Sequence, residues 1–229
     1  MKNIGAIRVK KDVKKFLAML NLMKKRYKQT KTVLHFNGPL EMLVATILSA
    51  QCTDVRVNMV TPALFKKYPT VKDYVNAKPE ELQKDIRSTG FFRNKAKSIQ
   101  GACRVMIEKY KGQVPKTMRE MLVLPGIARK SANVILYNAY GVVEGIAVDT
   151  HVRRLSQRLG ASTHNSPEKI EQDLMKIIPE KGWGVSAYLL IEHGRKVCKA
   201  VKPNCSGCFL NKLCPSAFSF NEKGKWIGL

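Results

Sequence analysis

Acidic residues are scarce in this chain. Of 229 residues, 17 are Asp or Glu against 41 Lys or Arg, the formal net charge is +24, and no acidic tail offsets it. Solubility alone does not call for so much charge of one sign, so the excess points to a polyanionic partner, most simply a phosphate backbone. Long apolar runs are missing too. The longest, near Leu40 to Ala50, is too short to cross a bilayer. No segment sets a bare apolar face against a lysine-only face, so a membrane partner is not expected. Met1 to Lys11 has no apolar core of the secretory type, so no secretion signal is expected and the reducing interior of a cell is the expected location. There is no sustained strand-period alternation, no internal repeat, no low-complexity tract and no long linker.

What is present is helical periodicity over a chain that is 45% hydrophobic, enough for a real core. Val13, Phe16, Leu17, Leu20 and Tyr27 recur at helical spacing. Gly38-Pro39 opens a second helix with Leu40, Leu43, Val44, Ile47 and Leu48 inward, and Thr53-Asp54 caps a third. Thr70 and Pro79-Glu80-Glu81 mark two further starts, and Gly90 is a stop. Ala96, Ile99, Cys103, Met106, Ile107 and Tyr110 form another stripe, and a short helix lies near Thr117 to Leu122. Helices are then expected from about Lys130 to Tyr140, from Asp149 to Arg158, from Pro167 to before Pro179, and from about Val185 to Lys196. The pattern after Ser216 is weak and reads as a tail.

Cys198, Cys205, Cys208 and Cys214 give C-x6-C-x2-C-x5-C, with Pro215 next. Four thiolates in one short segment can wrap a single metal centre, and an all-sulfur set selects zinc or an iron–sulfur cluster. The spacing is not that of a zinc ribbon, with its two distant C-x2-C pairs, and its uneven intervals suit a loop folded around a cube-shaped [4Fe–4S] cluster. Arg195, Lys196, Lys199 and Lys202 make the loop basic. Cys52 and Cys103, in apolar surroundings, read as small core residues.

Leu124-Pro125-Gly126-Ile127-Ala128-Arg129-Lys130 is a glycine-containing turn between two helices. Gly126 permits a tight turn, and the following helix start offers free amides to a phosphate. An ordinary helix–helix turn is the bland alternative. Soon after comes Asp149, in Val148-Asp149-Thr150-His151. A lysine at 130, desolvated and beside the cationic Arg129, can lose its proton and act as an amine nucleophile. A nearby carboxylate can orient it or stabilise positive charge developing on a sugar. Asp149 also reads as a plain N-cap, and the two roles are compatible.

These segments, together with Leu48-Ser49-Ala50-Gln51-Cys52-Thr53-Asp54 and the hairpin's continuation Ser131-Ala132-Asn133-Val134, occur in one order along nearly the whole chain. In that arrangement the chain resembles the helix-hairpin-helix DNA glycosylases, and within them the endonuclease III family. The resemblance implies an all-α, two-lobed helix-hairpin-helix DNA glycosylase fold with a C-terminal [4Fe–4S] cluster loop. A helical barrel domain would span 32–141, an iron–sulfur cluster domain 1–31 with 142–215, and a C-terminal tail 216–229. Double-stranded DNA carrying a damaged base or an abasic site would lie in the cleft between the lobes.

The implied activity is that of a bifunctional DNA glycosylase and AP lyase of base-excision repair. It excises oxidised pyrimidines of the thymine glycol type and nicks the strand by β-elimination. Lys130 matches the lysine that attacks C1′ and forms the Schiff base, and Asp149 the aspartate that assists sugar activation and proton transfer. Gln51 matches the residue that fills the gap left by the flipped base, and Phe91 the apolar wedge, often a leucine. Gly126, Ala128 and Arg129 at the hairpin, with His151, Arg153, Arg195, Lys199 and Lys202, are the other expected DNA contacts, and a monovalent cation is expected at the hairpin. Ala128 stands where the family usually has a second glycine, so its φ is expected to be negative. The cluster is expected to be structural, and the protein a monomer of the cytoplasm or nucleoid, or of the nucleus in a eukaryote. A monofunctional mismatch glycosylase and a non-catalytic, metal-stabilised DNA-binding protein are the alternatives. Lys130 argues against the first, because those relatives typically carry a small or aromatic residue there.

Overall fold

The structure is a computed structural model that describes residues 12–28 and 30–228. The expectation of no secretion signal falls on residues 1–11, outside the described ones. Among the described residues the secondary structure is helical, apart from one isolated antiparallel bridge between Phe220 and Trp226. No described helix is long and apolar enough to cross a membrane.

Eleven α-helices lie in the described residues: α1 Val13–Arg26, α2 Pro39–Leu48, α3 Asp54–Lys67, α4 Val71–Asn76, α5 Pro79–Asp85, α6 Phe92–Tyr110, α7 Met118–Met121, α8 Arg129–Tyr140, α9 Thr150–Arg158, α10 Pro167–Ile177 and α11 Trp183–Lys196. Most starts follow from side-chain chemistry. Asp12, Thr53, Thr70, Thr117 and Asp149 each accept an amide from the first turn of the helix they open. At α2, α5 and α10 a proline occupies the first turn, where its missing N–H costs nothing. α11 begins at Trp183, ahead of the expected Val185, because the short 3₁₀ turn Glu180–Gly182 runs directly into it.

The chain forms two compact units. One comprises Thr32–Glu144. Its centre is α2, where Met42 through Leu48 are all buried, and α3, α6 and α8 pack around it. The α4 and α5 helices cover α6, and α7 rests on α8. Cys103 lies inside this core and Cys52 packs against it, the roles expected of both. The other unit joins the described residues up to Lys31 to those from Gly145 onward. There α11 packs between α1 and α9, with α10 against α9, around Phe16, Met19, Met23, Val152, Leu155, Leu174 and Leu190. The second segment of this unit starts at Gly145, whereas the sequence reading placed its boundary at 142.

Residues 216–228, where the sequence pattern is weak, are folded against this unit. Phe220 and Trp226 bridge to each other, Asn221 closes the turn by accepting the Lys225 amide at 2.8 Å, and the Lys202 amide donates to the Gly224 carbonyl at 2.9 Å.

Candidate functional site

The hairpin belongs to the Thr32–Glu144 unit. Leu124 and Ile127 are buried and anchor it, while Pro125, Gly126 and Ala128 are exposed. Gly126 has φ +80°, and a Cβ there would lie 2.6 Å from Ser98 Cβ, so α6 and the backbone twist both require glycine. Ala128 takes φ −98°, the negative value expected of an alanine. It is the N-cap of α8 and makes no side-chain cap bond. Lys130 occupies the first turn of α8 and is exposed. The desolvated lysine expected from the sequence is therefore not what the free protein has. Position 130 lies on the solvent side of the helix while Ala132, Ile135 and Leu136 face the core.

Two further residues of this unit, like Lys111 at the end of α6, have a left-handed backbone without being glycine. Gln51 has φ +50° and Phe91 φ +48°, and both side chains are exposed, Phe91 at 60%. A large aromatic held open to solvent on a strained backbone is not a core residue. Phe92, next to it, packs partly buried against the core.

In the other unit the approach to α9 is fixed by Glu171, whose carboxylate accepts the Ile146 amide at 3.1 Å. Asp149 then caps α9, accepting the Val152 amide at 2.7 Å, and is half-buried. His151 is half-buried against α11, where a Cβ at Gly194 would lie 2.9 Å from His151 Nδ1. Burial lowers the His151 pKa, with Arg154 and Arg195 adding to the shift and Asp149 opposing it. Arg153, Arg195, Lys199 and Lys202 are exposed. Arg154 instead turns inward and donates to the carbonyls of Gly194 and Cys198 at 3.0 Å each, tying α9 to the loop beyond α11.

That loop brings Cys198, Cys205, Cys208 and Cys214 to the wall of one small cavity, lined also by Leu159, Leu210 and Phe220. Among the described residues, no three His, Cys, Asp or Glu side chains are placed to hold a single metal ion. The four cysteines are free thiols, and burial pushes the Cys214 thiol up to about 11 and that of Cys208 upward. Thiols so buried need bound cations to become thiolates. A sulfur-only donor set around one apolar cavity fits an iron–sulfur cluster.

Two residues without a sequence signal stand behind these thiols. Arg158 is 3% exposed and donates to Cys198 Sγ at 3.4 Å and to the carbonyls of Lys199 and Ala200 at 2.7 and 2.8 Å. Its guanidinium lies 4.9 Å from the Phe220 ring and 6.0 Å from the Trp226 ring. His193 is buried, with Nδ1 at 2.8 Å from the Tyr27 hydroxyl and Nε2 at 3.6 Å from Cys208 Sγ, and burial pushes its pKa down to about 4. In the sequence Arg158 is one more cation near a helix end and His193 has no ligand spacing, so neither carries a signal.

The family model for HhH-GPD superfamily base excision DNA repair proteins matches residues 44–180. Endonuclease III of Synechocystis sp. is 53% identical over 87% of this chain and 91% of its own length, and that of Bacillus subtilis 47% identical over 82% and 86%. A solved structure of an endonuclease III trapped as a covalent intermediate with DNA superimposes with a TM-score of 0.84 at 45% identity, covering 89% of this chain and 95% of that one. The chain belongs to the endonuclease III family of this superfamily.

Proposed function

We propose that this protein is a bifunctional DNA glycosylase and AP lyase of base-excision repair that removes oxidised pyrimidines from duplex DNA. The observation that carries the reading is the hairpin. Gly126 is locked against Ser98, Ala128 leaves the start of α8 without a side-chain cap, and Lys130 stands exposed one residue into that helix. A phosphate bound at the helix start would bring a deoxyribose within reach of the Lys130 amine.

The neutral amine of Lys130 attacks C1′ as the C1′–N bond breaks, and the electron pair leaves with the base, which takes a proton. Ring opening gives an imine between Lys130 and C1′. Loss of a C2′ proton then expels the 3′ phosphate oxygen, which cuts the strand. Asp149 stabilises positive charge on the sugar and handles protons, with its carboxylate held by the Val152 amide. Gln51 fills the space left by the extruded nucleotide and Phe91 stacks in the opened step, compensating part of the lost stacking. Exposed Arg153, Arg195, Lys199 and Lys202 neutralise phosphates, and the hairpin backbone also takes a monovalent cation. Both catalytic side chains come from one chain, so a monomer suffices.

Cys198, Cys205, Cys208 and Cys214, which line one cavity, would hold a [4Fe–4S] cluster. When bound, the cluster cross-links the loop through four thiolates, and base excision draws no electrons from it. Arg158 and His193 hydrogen-bond the sulfurs of Cys198 and Cys208.

Borohydride reduction on duplex DNA with an abasic site tests the assignment. Wild type is expected to form a covalent adduct and Lys130→Ala none. An undiminished adduct in Lys130→Ala would move the Schiff base to another amine. No adduct in wild type would remove the lyase reading.

A further inference from the structure

Lys95, on α6, is 4% exposed, and its ammonium donates to two backbone carbonyls: Leu48 at 2.7 Å and Thr89 at 2.8 Å. Its partners are therefore carbonyl dipoles from distant parts of the Thr32–Glu144 unit, not a carboxylate. Leu48 is the last residue of α2, and Thr89 ends the 3₁₀ turn Arg87–Thr89. Carbonyls at such ends lack an onward partner and carry the negative end of the local dipole. Just beyond Leu48 stands Gln51, and just beyond Thr89 stands Phe91, both exposed and both left-handed without being glycine. The Lys95 amide also donates to the Phe91 carbonyl at 3.0 Å.

Burying an ammonium is costly, and here burial lowers its pKa. A left-handed backbone at an ordinary residue is strained and persists only where the surroundings over-determine it. One buried cation lies directly behind two such residues. A fully apolar side chain would fill the same space without joining the two carbonyls.

We propose that Lys95 is a positioning residue that holds the Gln51 and Phe91 loops in one fixed register, so that the gap-filling and wedging side chains enter DNA as a pair. This rests on the roles proposed above for Gln51 and Phe91. The two loops are then one preorganised probe, and lesion DNA does not bear the cost of ordering them separately. Lys95 touches no DNA, so its effect falls on damaged or abasic duplex, where the loops insert, and not on undamaged duplex held through phosphates.

The test compares wild type, Lys95→Met, Lys95→Gln and Lys95→Arg in two measurements. The first is hydrogen exchange of the free protein. In Lys95→Met, amides at 49–53 and 89–92 are expected to exchange faster together, with the hairpin at 124–130 unchanged. The second is binding to duplex with a tetrahydrofuran abasic analogue and to the same duplex undamaged. Lys95→Met is expected to lose about tenfold on the abasic duplex and less than about twofold on the undamaged one, with Lys95→Arg restoring most of the difference. Should Lys95→Met fail to fold, Lys95→Gln, which retains one donor pair, is judged by the same two measurements. Wild-type exchange at both loops, or equal weakening on both duplexes, would overturn the proposal. Wild type that does not prefer the abasic duplex would instead sink the functional reading, and the exchange measurement would still decide whether Lys95 joins the loops.

Discussion

At Asp149 one carboxylate caps α9 and also serves as the proposed charged group of the reaction, and two substitutions separate these tasks. Asparagine keeps an oxygen for the Val152 amide, so Asp149→Asn is expected to stay within about 0.5 kcal/mol of wild type in denaturant unfolding. Without the charge, its single-turnover base excision is expected to fall by roughly 10²-fold or more. Asp149→Ala loses both, with a stability loss of about 1 kcal/mol. Wild-type excision in Asp149→Asn would reduce the residue to a cap. The residue scale is also where the sequence is most unevenly legible. Gly126 and the four cysteines declare themselves, because a positive φ with no room for a Cβ and an all-sulfur set each demand one residue type. Lys95, Arg154 and Arg158 do not, being three among 41 cations. Their roles come from burial against carbonyls distant in sequence, which no local pattern encodes. Lys130 shows the reverse error, since chemistry suggested burial and the fold leaves it in solvent.

At the scale of elements, helix starts were legible wherever Thr, Asp or Pro supplies the missing cap or tolerates the missing donor. Residues 216–228 were not, because what holds them is the pairing of Phe220 with Trp226 over one buried arginine and a backbone bond to Lys202. Ser216, Ala217 and Phe220 also line the cysteine cavity. This segment covers the loop that carries the four cysteines. In Phe220→Ala/Trp226→Ala the cation–π contacts of Arg158 vanish, each worth about 0.5–2 kcal/mol, and the cavity wall opens. With helical content retained, the visible absorbance of the cluster is expected to decay several-fold faster under an iron chelator, by roughly the factor that a kcal/mol or two confers. An unchanged decay rate would show that the segment covers the loop without protecting it.

For the whole molecule, a net charge of +24 and a pI near 10.0 describe a protein built to meet phosphate. Arg153, Arg195, Lys199 and Lys202 are exposed in the unit that carries the four cysteines, and the start of α8 in the other has no side-chain cap. Each phosphate neutralised releases counterions and contributes about −0.9 to the slope of log K against log salt, so four side chains alone give a slope near −3.6 on undamaged duplex. Removing one, as in Lys199→Ala, is expected to flatten that slope by about 0.9 and weaken damaged and undamaged duplex alike, since phosphate contacts carry no information about the lesion. Phe91→Ala is expected to do the opposite, leaving the slope intact and weakening only damaged or abasic duplex, because it reports on an opened base step rather than on charge. Titration of both variants against salt on both duplexes separates the electrostatic hold from the lesion probe. If Lys199→Ala changed only the damaged duplex, the loop would be reading the lesion itself, and its basic residues would belong with Gln51 and Phe91 rather than with the general positive field.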